Sequence, residues 1–259
     1  MSESMIVHRA GIRYRGGKVD DIDDIVVVEE KISLFLNGKK YLTMVASDDA
    51  LCELGAGFFI AAGVAKKICS VRSEGKSVFV EAEDVRCVDG ALESAGGFDP
   101  CGASPIAGDS TLRISPDEIF AMREALNAPM WADTGGLHCT ALYHQHRQAA
   151  IFSDIGRHNT VDKAIGFMAL HGLNPADCAI ACTGRQPSGM VGKAANAGIP
   201  IIVSRAASTS AGIQTAEECG VTLICFTRDG RFTVYAHPER IEGLDILQND
   251  PHTLCRHIR

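Results

Sequence analysis

Between Ala179 and Tyr235 short apolar runs alternate with helical patterns of about ten residues, and no other feature constrains the fold as tightly. Ala179–Cys182, Ile201–Ser204 and Thr222–Phe226 have the length and composition of buried strands. Met190–Ala197 and Ala211–Cys219, lying between them, carry apolar residues at helical spacing. Strands joined by such helices become parallel neighbours, and a parallel sheet must be covered on its faces. The expected class is therefore α/β. A last strand, Phe232–Tyr235, follows a turn at Asp229-Gly230.

The preceding stretch extends the pattern. Leu137–Tyr143 and Gln148–Phe152 read as antiparallel strands turning at Gln145, His146 and Arg147. Ser153-Asp154 occupies the place of a helix N-cap, and Val161, Ala164, Ile165 and Met168 recur at helical spacing behind it. Ser115-Pro116-Asp117-Glu118 is a capping box with proline at the first helical position, opening a helix to Asn127.

The amino-terminal part is less regular. The first twenty or so residues lack periodicity and predict a loose segment or an edge strand. Asp24–Glu30 and Lys31–Leu36 alternate as strands, Asn37-Gly38 is a hairpin turn, and Tyr41–Val45 returns. Ser47 is placed to cap a helix running to about Lys67, with Asp48 and Asp49 in its first turn. Three glycines in that helix each cost roughly 1 kcal/mol against alanine. Val71 and Val78–Glu81 predict a strand pair turning at Glu74-Gly75. Residues 93–110 are rich in glycine, serine and proline, which predicts a mobile loop and a domain boundary. The expected division is a small α+β domain over 1–98, a cysteine loop over 99–110, a binding domain over 111–241 and a tail over 242–259.

A net charge of −7 argues against broad binding to nucleic acid or to an anionic membrane. Residues 1–17 lack the apolar core of a signal peptide, and the longest apolar run, Gly55–Ala65, falls short of the roughly 20 residues that span a bilayer. A cytoplasmic protein is expected.

In a sheet of this kind ligands bind beyond the carboxyl ends of the parallel strands. Those ends carry Asp154-Ile155-Gly156-Arg157-His158-Asn159, Thr183-Gly184-Arg185, Ser204-Arg205 and Thr227-Arg228. Each loop supplies one arginine, and three of the loops lead into helix N-termini, whose free N–H groups attract anions. Four arginines on one edge of an acidic protein point to an anionic ligand with phosphates. The bland alternative is four solvated loop arginines.

The chain has ten cysteines but no C-x-x-C. Cys52, Cys69, Cys178, Cys182 and Cys225 lie in apolar runs, where thiols act as small hydrophobes. Cys101 differs: Asp99-Pro100-Cys101-Gly102-Ala103-Ser104-Pro105 has no periodicity to bury it, which suits a nucleophile or group carrier, or else an incidental exposed thiol. His138-Cys139-Thr140 lacks the glutamate of the zinc deaminase H-x-E motif, so no metal is expected there. His144, His146, His171 and His237 have no ligand spacing and read as surface residues.

These residues resemble the FdhD family of formate dehydrogenase accessory sulfurtransferases. The resemblance rests on Thr134-Gly135-Gly136-Leu137-His138, on Asp154-Ile155-Gly156-Arg157-His158-Asn159-Thr160-Val161-Asp162-Lys163, and on Thr183-Gly184-Arg185. It continues through Ala197-Gly198-Ile199-Pro200 and Gly220-Val221-Thr222-Leu223 to Phe226-Thr227-Arg228-Asp229-Gly230-Arg231, covering roughly Ile32 to Ile241. It implies a cytidine-deaminase-like three-layer α/β sandwich with a mixed sheet and no zinc, a smaller N-terminal α+β domain, and a homodimer. It also implies that persulfide sulfur passes from a cysteine desulfurase, by way of Cys101, to the bis-guanine-dinucleotide molybdenum cofactor needed by the formate dehydrogenase apoprotein. Phe226–Arg231 corresponds to a cofactor-binding stretch, with Arg157, His158, Asn159, Thr183, Gly184, Arg185, Ser204 and His138 completing the expected site.

The sequence also departs from the family's pattern. Where the family has C-G-x-C-G, this chain has Cys101-Gly102-Ala103-Ser104-Pro105, with one thiol. Gly189 stands where a glutamate is usual, and a serine-rich loop with Pro-Thr reads Ala207-Ser208-Thr209. Three readings follow: a sulfurtransferase carrying sulfur on Cys101, a cofactor-binding chaperone that has lost sulfur transfer, and a hydrolytic deaminase that would need zinc.

Overall fold

The computed structural model describes residues 5–86, 110–127 and 134–244. Its centre is a six-stranded mixed sheet of β7 (His138–His144), β8 (Arg147–Asp154), β9 (Cys178–Cys182), β10 (Ile201–Ser204), β11 (Thr222–Arg228) and β12 (Arg231–Ala236), in the order β12-β11-β10-β9-β7-β8. β9, β10 and β11 are parallel, and β7, β8 and β12 run antiparallel to their neighbours. The alternation of the sequence thus gives the parallel core, and the hairpins supply the antiparallel flanks.

Successive strand residues point to opposite faces, so this sheet has two cores. Leu142, Ile180, Ile202 and Leu223 meet α3 (Arg157–Leu170), α4 (Ser188–Asn196) and α5 (Ser210–Cys219) on one face. Ala141, Ala179, Val203 and Ile224 meet Ile119 and Met122 of α2 (Pro116–Ala125) on the other. These are the three layers of the expected sandwich. α2 starts with the expected capping box: Ser115 Oγ accepts from Glu118 N at 3.2 Å, and Ser115 N donates to Glu118 Oε2 at 2.7 Å.

A four-stranded sheet, β4-β3-β6-β5, is built from β3 (Glu30–Leu36), β4 (Lys39–Ala46), β5 (Lys67–Glu74) and β6 (Ser77–Glu83). Its Ile32, Leu34, Val78 and Val80 pack on α1 (Leu51–Ala61). The opposite side of α1 lies against α3, joining this sheet to the sandwich. No described helix is long and apolar enough to cross a membrane.

Five expectations are corrected. The first residues are neither loose nor a single edge strand: β1 (Ile6–Arg15) and β2 (Lys18–Val27) pair over ten residues and turn at Gly16-Gly17, both at positive φ as a tight hairpin turn requires. β2 therefore ends before the expected Asp24–Glu30 strand does. Ser47 does not cap α1, which has Ala50 at its N-cap and no side-chain cap, and the helix stops at Ala61 because Gly63 turns left-handed. Asp154 is not the cap of α3 either; Gly156 holds that position, while Asp154 ends β8. The boundary expected at 99–110 lies outside the described residues except for Ser110.

Candidate functional site

Asp154 shows where the polar cluster at the start of α3 is directed. Its Oδ1 accepts from Gly156 N at 2.9 Å and Asn159 Nδ2 at 2.8 Å. Its Oδ2 accepts from Ser47 N at 3.1 Å and pairs with Lys163 Nζ at 2.7 Å, both side chains being fully buried. Asn159 Nδ2 also donates to Val45 O, and Ser47 Oγ accepts from Ile155 N at 3.3 Å. One turn further along α3, Asp162 takes both its oxygens to Lys193 Nζ at 2.6 and 2.8 Å. Burial raises the Asp162 carboxyl above the usual range, and Lys193 opposes that rise. Asn159, Asp162 and Lys163 are thus spent on holding α3 to β4 and α4. Of the three site residues expected in this motif, Asn159 is the one tied into these contacts.

Arg157 and His158 remain half-buried at the amino end of α3, beside the ends of the parallel strands. Gly184 makes room for Arg157: a Cβ there would lie 2.9 Å from the arginine's own Cβ. Next to it, Thr183 Oγ1 accepts from Cys139 N at 3.0 Å and meets His138 Nδ1 at 3.1 Å. Burial, and then the neighbouring Arg157 cation, hold the His138 imidazole below its ordinary pKa, with Asp154 pulling the other way. His138 is therefore a neutral ring at neutral pH, beside a fixed positive charge.

The remaining loops are knitted to this wall. Gly184 O accepts from Ser204 Oγ and Gln186 Nε2, each at 2.8 Å. Ser204 is fully buried and supports the crevice from beneath. Gln186 pairs with Ser208 in an isolated bridge, and Phe226 N donates to Ala206 O at 3.0 Å. Phe226 takes a left-handed φ of 53° within an irregularity of β11, and Asp229 and Gly230 form the turn into Arg231. The Arg228 guanidinium lies 5.7 Å from the centre of the Phe226 ring. Thr227 is buried, and its hydroxyl has no hydrogen-bond partner among the described residues. Of the four arginines, Arg185 and Arg228 are exposed, while Arg157 and Arg205 are half-buried.

The structure thus brings His138, Arg157, Thr183, Gly184, Ser204 and Phe226 to one edge of the sheet. Sequence reasoning missed Gln186, which anchors two loops and also donates to Cys182 Sγ at 3.0 Å. Its only signal was Gly212, where any side chain would overlap Gln186 O. Such an edge suits a phosphate-bearing ligand: fixed cations and the N-termini of α3, α4 and α5 favour negative charge. A small apolar cavity of about 50 Å3 lies instead at the opposite end of β9, lined by Leu112, Ile114, Met122, Tyr143 and Ala179.

The thiols divide sharply. Burial pushes Cys139 up to about 11, and Cys178, Cys182 and Cys225 up to about 12. These are core groups, not nucleophiles. Cys69 on β5 is the one exposed cysteine among the described residues, and Cys101 lies outside them. No group of three or more His, Cys, Asp or Glu among the described residues could hold a metal ion.

Comparison with known proteins places this architecture in a family. The model of the FdhD/NarQ family matches residues 27–242. The sulfur carrier protein FdhD of Bacillus subtilis (strain 168) is 31% identical over 260 residues, covering 93% of this chain and 99% of the relative. The sulfur carrier protein FdhD of Methanothermobacter thermautotrophicus is 34% identical over 247 residues, covering 86% and 96%. A crystal structure from Desulfotalea psychrophila, provisionally described as a formate dehydrogenase accessory protein, superimposes with a TM-score of 0.81 at 28% identity, covering 92% of this chain and 99% of that one.

Proposed function

Because the chain belongs to the FdhD/NarQ family, we propose that it is a sulfur carrier that takes persulfide sulfur from a cysteine desulfurase and delivers it to the bis-guanine-dinucleotide molybdenum cofactor for a formate dehydrogenase apoprotein. In this reading the cofactor is a substrate, the chain works as a homodimer in the cytoplasm, and the crevice holds the cofactor's guanine dinucleotides. The observation that carries the reading is the strand-end wall of His138, Thr183, Gly184 and Arg157, in a chain whose relatives are named sulfur carriers.

Two diphosphates carry four negative charges at most, and Arg157, Arg185, Arg205 and Arg228 match that number on one edge. The neutral His138 ring adds a hydrogen-bonding group that does not repel a neighbouring cation. Phe226, held left-handed, and the Asp229-Gly230 turn set Arg228 and Arg231 at the rim.

Sulfur transfer begins when a thiolate attacks the terminal sulfur of the donor persulfide. A new S–S bond forms on the carrier, the donor's S–S bond breaks, and the donor leaves as a thiolate. The buried thiols cannot do this, since burial keeps them protonated and out of a partner's reach. Cys101, in a Gly- and Pro-rich stretch, is the carrier this reading assigns.

Mass spectrometry of the full chain after incubation with a cysteine desulfurase and cysteine tests the assignment. One added sulfur on the Cys101 peptide is expected. Its absence would favour the second reading, a cofactor-binding chaperone without sulfur transfer, to which the replacement of the family's second loop cysteine by Ser104 already points.

A further inference from the structure

The ribbon of β1 and β2 has no place in the cofactor site, and it ends where the family match begins. Its base is anchored: Met5 is buried, Val28 N donates to Met5 O at 2.9 Å, and Val27 lies so close to Gly136 that any side chain there would collide with it. Beyond the base the ribbon leaves the body of the protein. Ile12, Tyr14 and Val19 are 76%, 73% and 66% exposed.

The register sorts its side chains, because directly opposed residues share a face. One face pairs Arg9 with Asp24 and Arg13 with Asp20, and Arg13 also reaches Asp24 at 3.8 Å. That face carries most of the ribbon's charge. The other pairs Tyr14 with Val19 and Ile12 with Asp21, so the three most exposed apolar side chains cluster on it near the tip, while Val26, 41% exposed, lies on the first face. A two-stranded ribbon is marginal on its own in water, and an uncovered apolar face makes it more so.

We propose that this ribbon is an exchange arm, laid by each chain across the body of a second copy in a two-fold pair. The inference rests on the reading above that the chain is a homodimer, and it names the surface that makes the pair. Edge-to-edge pairing is disfavoured. In a two-fold dimer each edge strand meets itself, and β1 carries His8, Arg9, Arg13 and Arg15 with no carboxylate, while β2 carries Asp20, Asp21, Asp23 and Asp24. Like charges placed opposite one another are destabilising. Face-on docking avoids that self-pairing; the face it presents carries His8, Asp21 and Asp23 beside its apolar side chains, while Arg9, Arg13, Arg15 and Lys18 lie on the other face.

Area selects the occupant. A ribbon of this length is about 33 Å long and 10 Å wide, roughly 330 Å2 a face. Stacking two arms on each other, or gripping another protein with one arm, buries only about 660 Å2 in total, the scale of a crystal contact. Reciprocal exchange doubles this to about 1,300 Å2, within the range of specific interfaces. Only a second copy can reciprocate.

The test uses the full chain. Sedimentation equilibrium should give the mass of two chains for the wild type. It should give one chain for Ile12→Thr/Tyr14→Thr/Val19→Thr, which keeps strand propensity through β-branched threonine and removes the apolar face. Lys18 is the arm's lysine. In a mixture of isotopically heavy and light wild-type chains, amine cross-links from Lys18 should join heavy to light peptides. A wild-type monomer would overturn both the homodimer and the arm. A wild-type dimer whose triple variant stays dimeric, or whose Lys18 cross-links remain within one chain, would overturn the arm alone. Cross-links from Lys18 that form only when another protein is added would give the surface to that protein instead.

Discussion

Gly57 of α1 and Gly166 of α3 bring the backbones of two helices into direct contact: a Cβ on Gly57 would overlap the carbonyl oxygen of Asp162, and one on Gly166 that of Glu53. This contact joins the four-stranded sheet and its helix to the sandwich, with Lys193 paired to Asp162 beside it. Glycines that weaken an isolated helix are here what allows two helices to pack.

Gly166→Ala should therefore destabilise the chain even though alanine is the better helix former by about 1 kcal/mol. Backbone atoms cannot rotate out of the way, so the helices must separate, and a net loss of about 2 kcal/mol or more is expected. Gly11→Ala is the control, since its Cβ would meet Ile22 at an ordinary 3.5 Å. Chemical denaturation midpoints measure both; equal midpoints for Gly166→Ala and wild type would mean the helices are not in contact.

Lys163→Met should cost about 3 kcal/mol, because it leaves the buried Asp154 carboxylate without its cation. Asp154→Asn/Lys163→Met removes both charges and should recover part of the loss. A double-mutant cycle by urea unfolding reads the coupling, and strict additivity would show that the two groups do not interact.

The core thiols give a pH-dependent signature. Folded, Cys139, Cys178, Cys182 and Cys225 are held at about 11 to 12, while in the unfolded chain they return to about 8.5. Their contribution to stability is fully present below that unfolded value and is lost as pH rises through the folded ones. Iodoacetamide at pH 8 should leave these four unmodified in the native protein and label them in denaturant, as peptide mass spectrometry can follow. Native labelling of Cys182 would contradict its burial.

His138 offers a sharper electrostatic test. Its imidazole titrates below the ordinary histidine value, first from burial and then from the Arg157 cation. In proton NMR the His138 midpoint should lie below about 6.5, and Arg157→Ala should raise it by removing the cation. Asp154 and Arg157 are the charged groups acting on it, so an unmoved midpoint would place Arg157 away from the ring.

Much of this was legible in the sequence because it is local. Asn37-Gly38, the Ser115–Glu118 box and the alternation from Ala179 to Tyr235 each declare an element through neighbours a few residues apart. Ser47 and Asp154 read as caps by the same local rules, yet they bond to each other across 107 positions, where no local rule reaches. The motif from Gly156 to Lys163 misled in another way: scaffold and site both place polar residues at a helix start, and only burial separates Asn159 and Lys163 from Arg157. The ribbon was missed because, with no core to face, its strands show little alternation; Gly16-Gly17 was its one clear sign.

The replacement in the cysteine loop sets the last prediction. A sulfur carrier needs a thiol that can form the S–S bond of a persulfide and then yield its terminal sulfur. The Ser104 hydroxyl cannot do so, which leaves Cys101 to carry the sulfur alone. Cys139 is the obvious substitute thiol, but burial holds it at about 11 and its strand closes it off. Cys101→Ala should therefore abolish activation of a formate dehydrogenase apoprotein in a strain lacking the native carrier. Ser104→Ala and Cys139→Ala should keep most of it, and GDP binding measured by calorimetry should be unchanged in all three. Arg157→Ala or Arg228→Ala should do the reverse, weakening GDP binding while leaving persulfide formation on Cys101 intact. Full activation by Cys101→Ala, with GDP binding retained, would make the chain a cofactor chaperone and remove sulfur transfer from its role.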